Sequence, residues 1–343
     1  MRHYNDIETT RDSISLQKLA DRFPTEQACR DYLEAIRWNG HITCPHCSSD
    51  RVHKFTDGKL YFCSACRKQF TVKVGTIFED SHTPLRKWFF AVFIIVAHRK
   101  GISSLQLSRD LQVTQKTAWY MNHRIRYAIA HKSFNAPLGG GGNGNGGNGG
   151  NPVEVDETYV GGKTRRLGDP PLKRGRGSER QTPVIGVVER GGDIVAIPIQ
   201  RVTIKNLMRF IRENVQIGAR IMTDEFMSYQ ALNQDYKHET VNHSKREYVR
   251  GDVYTNTIES YFSQLKRGIF GIYHSVSSKH LARYCNEFAY RWNIRRVKDA
   301  DRFVMALQRC ENENRLTYRT LTGGKQSEET KKQPEDQTTQ RAS

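Results

Sequence analysis

A chain of 343 residues is long enough for two or three domains and at least one full hydrophobic core. Its 54 Lys+Arg against 36 Asp+Glu leave a net charge of +18, which favours a polyanionic partner through counterion release from phosphates, although a ribosomal protein would share it. The longest apolar run, Trp88 to Ala97, is about half the ~20 residues that span a bilayer, which excludes a membrane helix, and the first residues lack the apolar region of a secretion signal.

Residues 1–40 read as N-terminal helices. Phe23-Pro24-Thr25 leads into a helical pattern of Cys29, Tyr32, Leu33 and Ile36, with Thr25 as N-cap and Gly40 as stop. Residues 41–80 read as a zinc ribbon, with short alternating strands at Val52 to Phe55, Leu60 to Cys63 and Gln69 to Val72. Cys44-Pro45-His46-Cys47 is followed after 15 residues by Cys63-Ser64-Ala65-Cys66, so two knuckles offer four thiolates to one tetrahedral Zn²⁺. A closed four-cysteine site leaves no open position, which makes such a zinc structural and His46 a bystander. The rival, a redox Cys-x-x-Cys, needs one pair and a thioredoxin-like βαβ pattern that is missing. Seven cysteines grouped this way suit a reducing cytosol, and Cys29, Cys285 and Cys310 read as core residues.

Residues 81–135 read as helical, with a helix-turn-helix from Gly101 to Met121. Leu105, Leu107 and Leu111 are expected to face inward from its first helix. Thr114 caps the second, and Ala118, Trp119 and Met121 pack it back. Gln115, Lys116 and Thr117 then start a recognition helix, where side chains touch base edges, and His123, Arg124 and Arg126 form a phosphate-facing end. Many helical hairpins share this pattern, so a purely structural hairpin stays the other reading.

Residues 136–152 are almost pure Gly and Asn and read as a flexible tether that lets the two halves move independently. From residue 153 to 300 the order is strand, strand, strand, helix, strand, helix, with a Gly191-Gly192 turn between the second and third strands. A three-stranded meander, a crossover helix and a parallel strand are the order of an RNase H-like α/β domain with a mixed sheet. The whole is thus a multidomain α+β protein. Residues 301–343 form a C-terminal extension, polar and disordered after 322.

Three acids stand where such a sheet converges. Asp156 ends the first strand, Asp224 follows the fourth, and Glu259 lies on the helix from Asn256 to Arg267. Together they can hold two Mg²⁺ (or Mn²⁺) ions, one at the attacking oxygen and one at the leaving 3′ oxygen. Glu157 rivals Asp156, Glu225 rivals Asp224, and Asn256 rivals Glu259 as ligand. Asn256, Glu259, Ser263 and Lys266 share one helix face, which sets Lys266 toward a phosphate; a surface charge pair is the plainer reading of Glu259 and Lys266.

Longer strings carry a resemblance. Phe23-Pro24-Thr25, Arg37-Trp38, Cys44-Pro45-His46-Cys47 and Gly75-Thr76-Ile77-Phe78 are similar to the start of ISXO2-like insertion-sequence transposases. Val155-Asp156-Glu157-Thr158-Tyr159-Val160-Gly161-Gly162-Lys163, Thr255-Asn256-Thr257-Ile258-Glu259-Ser260-Tyr261-Phe262, Gly271-Ile272-Tyr273-His274 and Glu287-Phe288-Ala289-Tyr290-Arg291-Trp292-Asn293 continue it, from about residue 15 to 300 outside the tether. The resemblance implies a zinc ribbon ahead of an RNase H-like domain, with Asp156, Asp224 and Glu259 as the acids and Lys266 as the trailing base. It implies an enzyme that binds terminal inverted repeats, cleaves at element ends and joins the 3′-OH to target DNA. Double-stranded DNA is the expected partner, touched also by Asn256 and Arg267, and pairing two ends requires a homodimer or more. A bacterial host would place it in the cytoplasm, at the nucleoid. A nuclease or resolvase, and a non-catalytic DNA-binding regulator, are the alternatives.

Overall fold

A computed structural model describes residues 15–130, 137–140, 150–161, 181–312 and 316–323 of the protein. Helix α1 (Leu16–Arg22) starts where the Ser15 hydroxyl accepts from Lys18 N, and α2 (Glu26–Trp38) where Thr25 accepts from Ala28 N, before ending on left-handed Asn39. Strands β1 (Val52–Lys54), β2 (Leu60–Cys63) and β3 (Gln69–Thr71) form an antiparallel sheet in that order. Its inner face is aromatic: Tyr61 stacks on Phe70 at 5.2 Å and meets Trp38 of α2 edge-on at 5.3 Å.

The apolar run forms α3 (Leu85–Ala97), buried along most of its length at the centre of the first core. Helices α4 (Ser104–Leu111) and α5 (Gln115–Ile129) follow, with Thr114 capping α5 and Gln112 turning the chain in the left-handed region. Leu105 corrects one expectation, being 51% exposed while Leu107 and Leu111 are buried. Residues two apart on a helix point about 200° apart, so Leu105 and Leu107 cannot share the inward stripe.

The second sheet has the order β6-β5-β4-β7-β8, built from β4 (Val153–Val160), β5 (Thr182–Glu189), β6 (Ile194–Pro198), β7 (Arg220–Thr223) and β8 (Lys237–Thr240). The first three form an antiparallel meander, and β7 and β8 run parallel to β4. Helix α6 (Ile204–Asn214) crosses between them and covers one face with Leu207, Phe210 and Ile211. The other face carries α7 (Asn256–Gly268) and α8 (Ser278–Asn293). This is the RNase H-like arrangement, with β8 as a strand beyond those expected. No helix among the described residues is long and apolar enough to cross a membrane.

Two expectations about organisation are overturned. Helix α9 (Asp299–Asn312) returns to the N-terminal half, where Phe303, Ala306, Leu307 and Cys310 join the core of α3 and α5, as do Tyr290 and Ile294. A buried ion pair, Arg126 Nε to Glu287 Oε2 at 2.5 Å, ties α5 to α8, and Arg291 of α8 donates to the Ile95 and His98 carbonyls at the end of α3. The halves therefore share one core and do not move as independent bodies. The tether is pinned as well: Leu138 is buried, its N–H donates to Asn214 O and its carbonyl accepts from Gln216 N, both at 2.9 Å. A Cβ on Gly139 would stand 3.9 Å from the Asn151 carbonyl, so the chain leaves and rejoins the domain of the second sheet at adjacent points. Residues 141–149 and the tail from 324 lie outside the described residues. A short helix, α10 (Tyr318–Thr322), closes the described chain.

Candidate active site and metal centre

In the ribbon, the sulfurs of Cys44, Cys47, Cys63 and Cys66 all lie within 4.8 Å of one another, with Cys44–Cys66 and Cys47–Cys63 at 3.6 Å. A tetrahedron with ~2.3 Å metal–sulfur bonds has edges of about 3.8 Å, so the set fits one Zn²⁺. Backbone N–H groups of Cys66 and Ala65 hold the Cys63 thiol below its ordinary value, which favours the thiolate that a zinc ion binds.

The helix-turn-helix presents Gln115 and Lys116 exposed at the start of α5 and Thr117 half-buried. Gln115 reaches Ser104 at 3.1 Å, and the Lys116 amine stands 4.9 Å from the Tyr318 ring. The expected phosphate-facing end is a correction. Arg124 and Arg126 are only 1% and 3% exposed, and His123 is fully buried. Arg124 donates to the Glu79 carbonyl at 2.8 Å, while Arg126 belongs to Glu287; neither reaches a DNA surface. An arginine is buried where its charge is matched, and Glu287 supplies that match.

In the second sheet, Asp156, Asp224 and Glu259 come together around one cavity of ≈ 310 Å³, with Glu157, Tyr159, His243 and Thr255 completing its lining. Strand alternation turns Glu154 and Asp156 toward α7, and Val155 and Glu157 toward α6. There the deeply buried Tyr229 donates to Glu157 Oε2 at 2.6 Å. Burial keeps that phenol protonated. Asp224 accepts from Phe226 N, whereas Glu225 turns away to accept from Ser244 Oγ, His243 N and Ser244 N, contacts that hold its carboxyl down at about 2. Thr255 donates to Glu259 Oε1 at 3.0 Å. Burial, then Glu157, Asp224 and Glu259, push the Asp156 carboxyl well above the usual carboxylate range. Such crowding of negative charge is relieved by a cation, so the donor set fits hard divalent ions. Lys266 and Asn256 do not line it, and Arg267 lines a different cavity.

One residue escaped the sequence reading. Glu154 is fully buried, and its carboxylate accepts from Thr257 N (2.8 Å), Ile258 N (3.1 Å), Thr257 Oγ1 (2.8 Å) and Arg190 Nε (2.7 Å). It thereby caps the start of α7, where the helix macrodipole also favours a carboxylate, and fixes Glu259 relative to Asp156. The only signal was its phase, two residues before Asp156 on the same strand face. Gly186, the partner of Asp156 across β4 and β5, completes the fit: a Cβ there would stand 2.8 Å from Ile258 of α7.

Comparison with known proteins fits this geometry. Residues 148–293 match the ISXO2-like transposase domain, and 24–69 a transposase zinc-ribbon domain. A protein of Halobacterium salinarum, described as an uncharacterized protein in transposable element ISH50, is 32% identical over 79% of this chain and 92% of its own length. The chain belongs to the ISXO2-like transposases. A transposase-like protein of Haemophilus influenzae is 26% identical over 31% of this transposase and 85% of its own length. Among solved structures, the mariner Mos1 paired end complex with Mg covers 73% of this chain and 83% of that one, at 11% identity and a TM-score of 0.23.

Proposed function

We propose that this transposase binds the terminal inverted repeats of its insertion sequence, frees their 3′ ends and joins them to target DNA. The observation that carries this reading is the convergence of Asp156, Asp224 and Glu259 on one cavity, from the middle of β4, the residue after β7 and the first turn of α7. These three carboxylates would hold the Mg²⁺ or Mn²⁺ ions. Bound there, two such ions lower the charge on the attacking and leaving oxygens of an in-line displacement.

The chain's own residues do the rest. Glu154 and Thr255 keep Glu259 aimed into the cavity, and a cation held there would offset the burial and the neighbouring acids that raise the Asp156 carboxyl. In the first transfer a water oxygen bonds the scissile phosphorus and the element's 3′ oxygen departs as a hydroxyl. In the second that hydroxyl attacks a target phosphodiester, and the target's 3′ oxygen leaves. Lys266, Asn256 and Arg267 would orient DNA from the exposed side of α7, and Gln115, Lys116 and Thr117 would read base edges. Two ends held together call for at least a dimer on DNA.

The test is strand transfer by the purified full chain, with duplexes carrying the element's own ends and a target plasmid. Joined products that require Mg²⁺ and vanish in EDTA are expected. Asp224→Ala should lower joining by at least about a thousandfold while end binding persists. Cutting without joining would favour a nuclease. Binding with neither would favour a regulator.

A further inference from the structure

Apart from the acid-lined cavity, the described residues form a second one of opposite charge. It measures ≈ 390 Å³ and lies where three helix C-termini meet, those of α3, α7 and α8. Six cations line it: Arg99, Lys100, Arg267, Arg291, Arg295 and Arg302. Among the described residues no carboxylate does. Part of this charge is structural. Arg291 pairs with Glu287 and Arg302 with Asp299, and their guanidiniums also satisfy carbonyls of the helix ends. Asp193 stands beside Arg295, yet six cations still outweigh three carboxylates and three helix ends of about half a charge each.

The wall also keeps polar atoms in reserve. Arg291 is 9% exposed in its side chain, yet its Nη1 is buried without a hydrogen-bond partner, and so is Nε1 of the neighbouring Trp292. Unpaired buried donors beside uncompensated charge call for an acceptor-rich anion. Arg99, Lys100 and Arg267 stand exposed at the rim, free of any carboxylate pairing among the described residues. Arg267 is also eight residues along α7 from Glu259, about 12 Å of helix rise and about 80° round the axis.

We infer that this cavity is a second phosphate site, which holds a phosphodiester of the same DNA strand a few nucleotides from the one being cut. This rests on the DNA-processing reading above and adds to it a fixed second point of grip. Two grips on one strand set the register of the scissile phosphate over the carboxylates. Arg99 and Lys100 come from the loop after α3, Arg267 from α7, Arg291 from α8, Arg295 from the turn beyond it and Arg302 from α9, so the site also joins the end-binding half to the catalytic half through the DNA itself.

The experiment is a binding scan with the full-length protein. Duplexes carrying the element's end bear one neutral methylphosphonate at successive positions, and are titrated against wild type and the triple variant Arg99→Gln, Lys100→Gln, Arg267→Gln. All three residues are exposed, and thermal unfolding checks that the variant folds. Wild type should lose about tenfold in affinity at one position within about five nucleotides of the cleavage site, and the variant should lose nothing further there. The slope of log affinity against log salt should fall by about 1 to 3 in the variant. Losses that multiply at every position, or an unchanged slope, would overturn the proposal. Inorganic pyrophosphate serves as a second probe: stabilisation of wild type alone, with DNA binding unaltered in the variant, overturns DNA as the occupant. Every arm reads binding, so a wild type that grips its ends yet never cuts refutes the catalytic reading, while the phosphate grip itself is still judged by the methylphosphonate and salt results, with position counted from the element's terminus.

Discussion

Glu154 shows how much of the site depends on a residue that touches no substrate. Its carboxylate satisfies two backbone donors, one hydroxyl and one guanidinium in a dry environment. Glu154→Ala strands them all, and should destabilise the fold by about 3–5 kcal/mol in denaturant unfolding. Glu154→Gln keeps an acceptor oxygen and should recover part of that; equal stability of the Ala variant and wild type would refute the capping account. Asp156 gives a pH signature. Its folded carboxyl holds its proton above the usual range, so the folded state binds more protons than the unfolded one just above pH 4. Stability of the metal-free protein should therefore fall as pH rises through that raised value. Added Mg²⁺ should raise the melting temperature more at pH 8 than at pH 5, and Asp156→Asn should flatten the difference. Acid-bearing strands and an amphipathic helix let the sequence bring Asp156, Asp224 and Glu259 to one cavity, although β4 runs on to Val160 and leaves Asp156 in mid-strand rather than at a strand end. Arg124 and Arg126 were misread because helical arginines default to the surface, while the carboxylate that buries Arg126 lies 161 residues away. No local pattern carries such a pairing.

The ribbon is the element most dependent on a bound ion. Its strands are three or four residues long, too short to hold a sheet without a cross-link. Chelation, or Cys63→Ser, should open amide exchange across 52–71 and loosen α2 through Trp38, with end binding lost before the catalytic domain unfolds. Exchange protection that survives chelation would show the aromatic cluster to be sufficient alone. Elements of this kind were well marked, since capping residues such as Thr25 and Thr114 and the two cysteine knuckles act within a few residues. Strand β8 was missed because Lys237–Thr240 is polar and sits at the sheet edge, where alternation is not enforced by burial on both faces.

At the scale of the molecule, the buried Arg126–Glu287 pair clamps the two halves. Burial pushes the Glu287 carboxyl up, but Arg126, Arg291 and Tyr273 outweigh it and hold it at about 2, against an ordinary 4.5. Its stabilisation is thus complete above pH 4.5 and fades as pH falls toward 2. Glu287→Gln should cost about 3–5 kcal/mol at neutral pH and make the slope of acid unfolding shallower within that window, the part that remains coming from other depressed carboxyls such as Glu225. The shared core was illegible because a glycine-rich run between two motif-bearing segments reads as a domain boundary, and the return of α9 is a long-range packing event.

The anchoring of Leu138 beside the start of β4 gives that run another meaning. A run of glycine and asparagine has no core to preserve, so its length can change without loss of packing. The described residues on either side of it meet at adjacent points of one domain, so such a change leaves the spacing between end recognition and chemistry unaltered. Each doubling of its length costs only about 0.6 kcal/mol in closure entropy. A reporter peptide spliced between residues 141 and 149 should therefore ride along without altering where the DNA is cut.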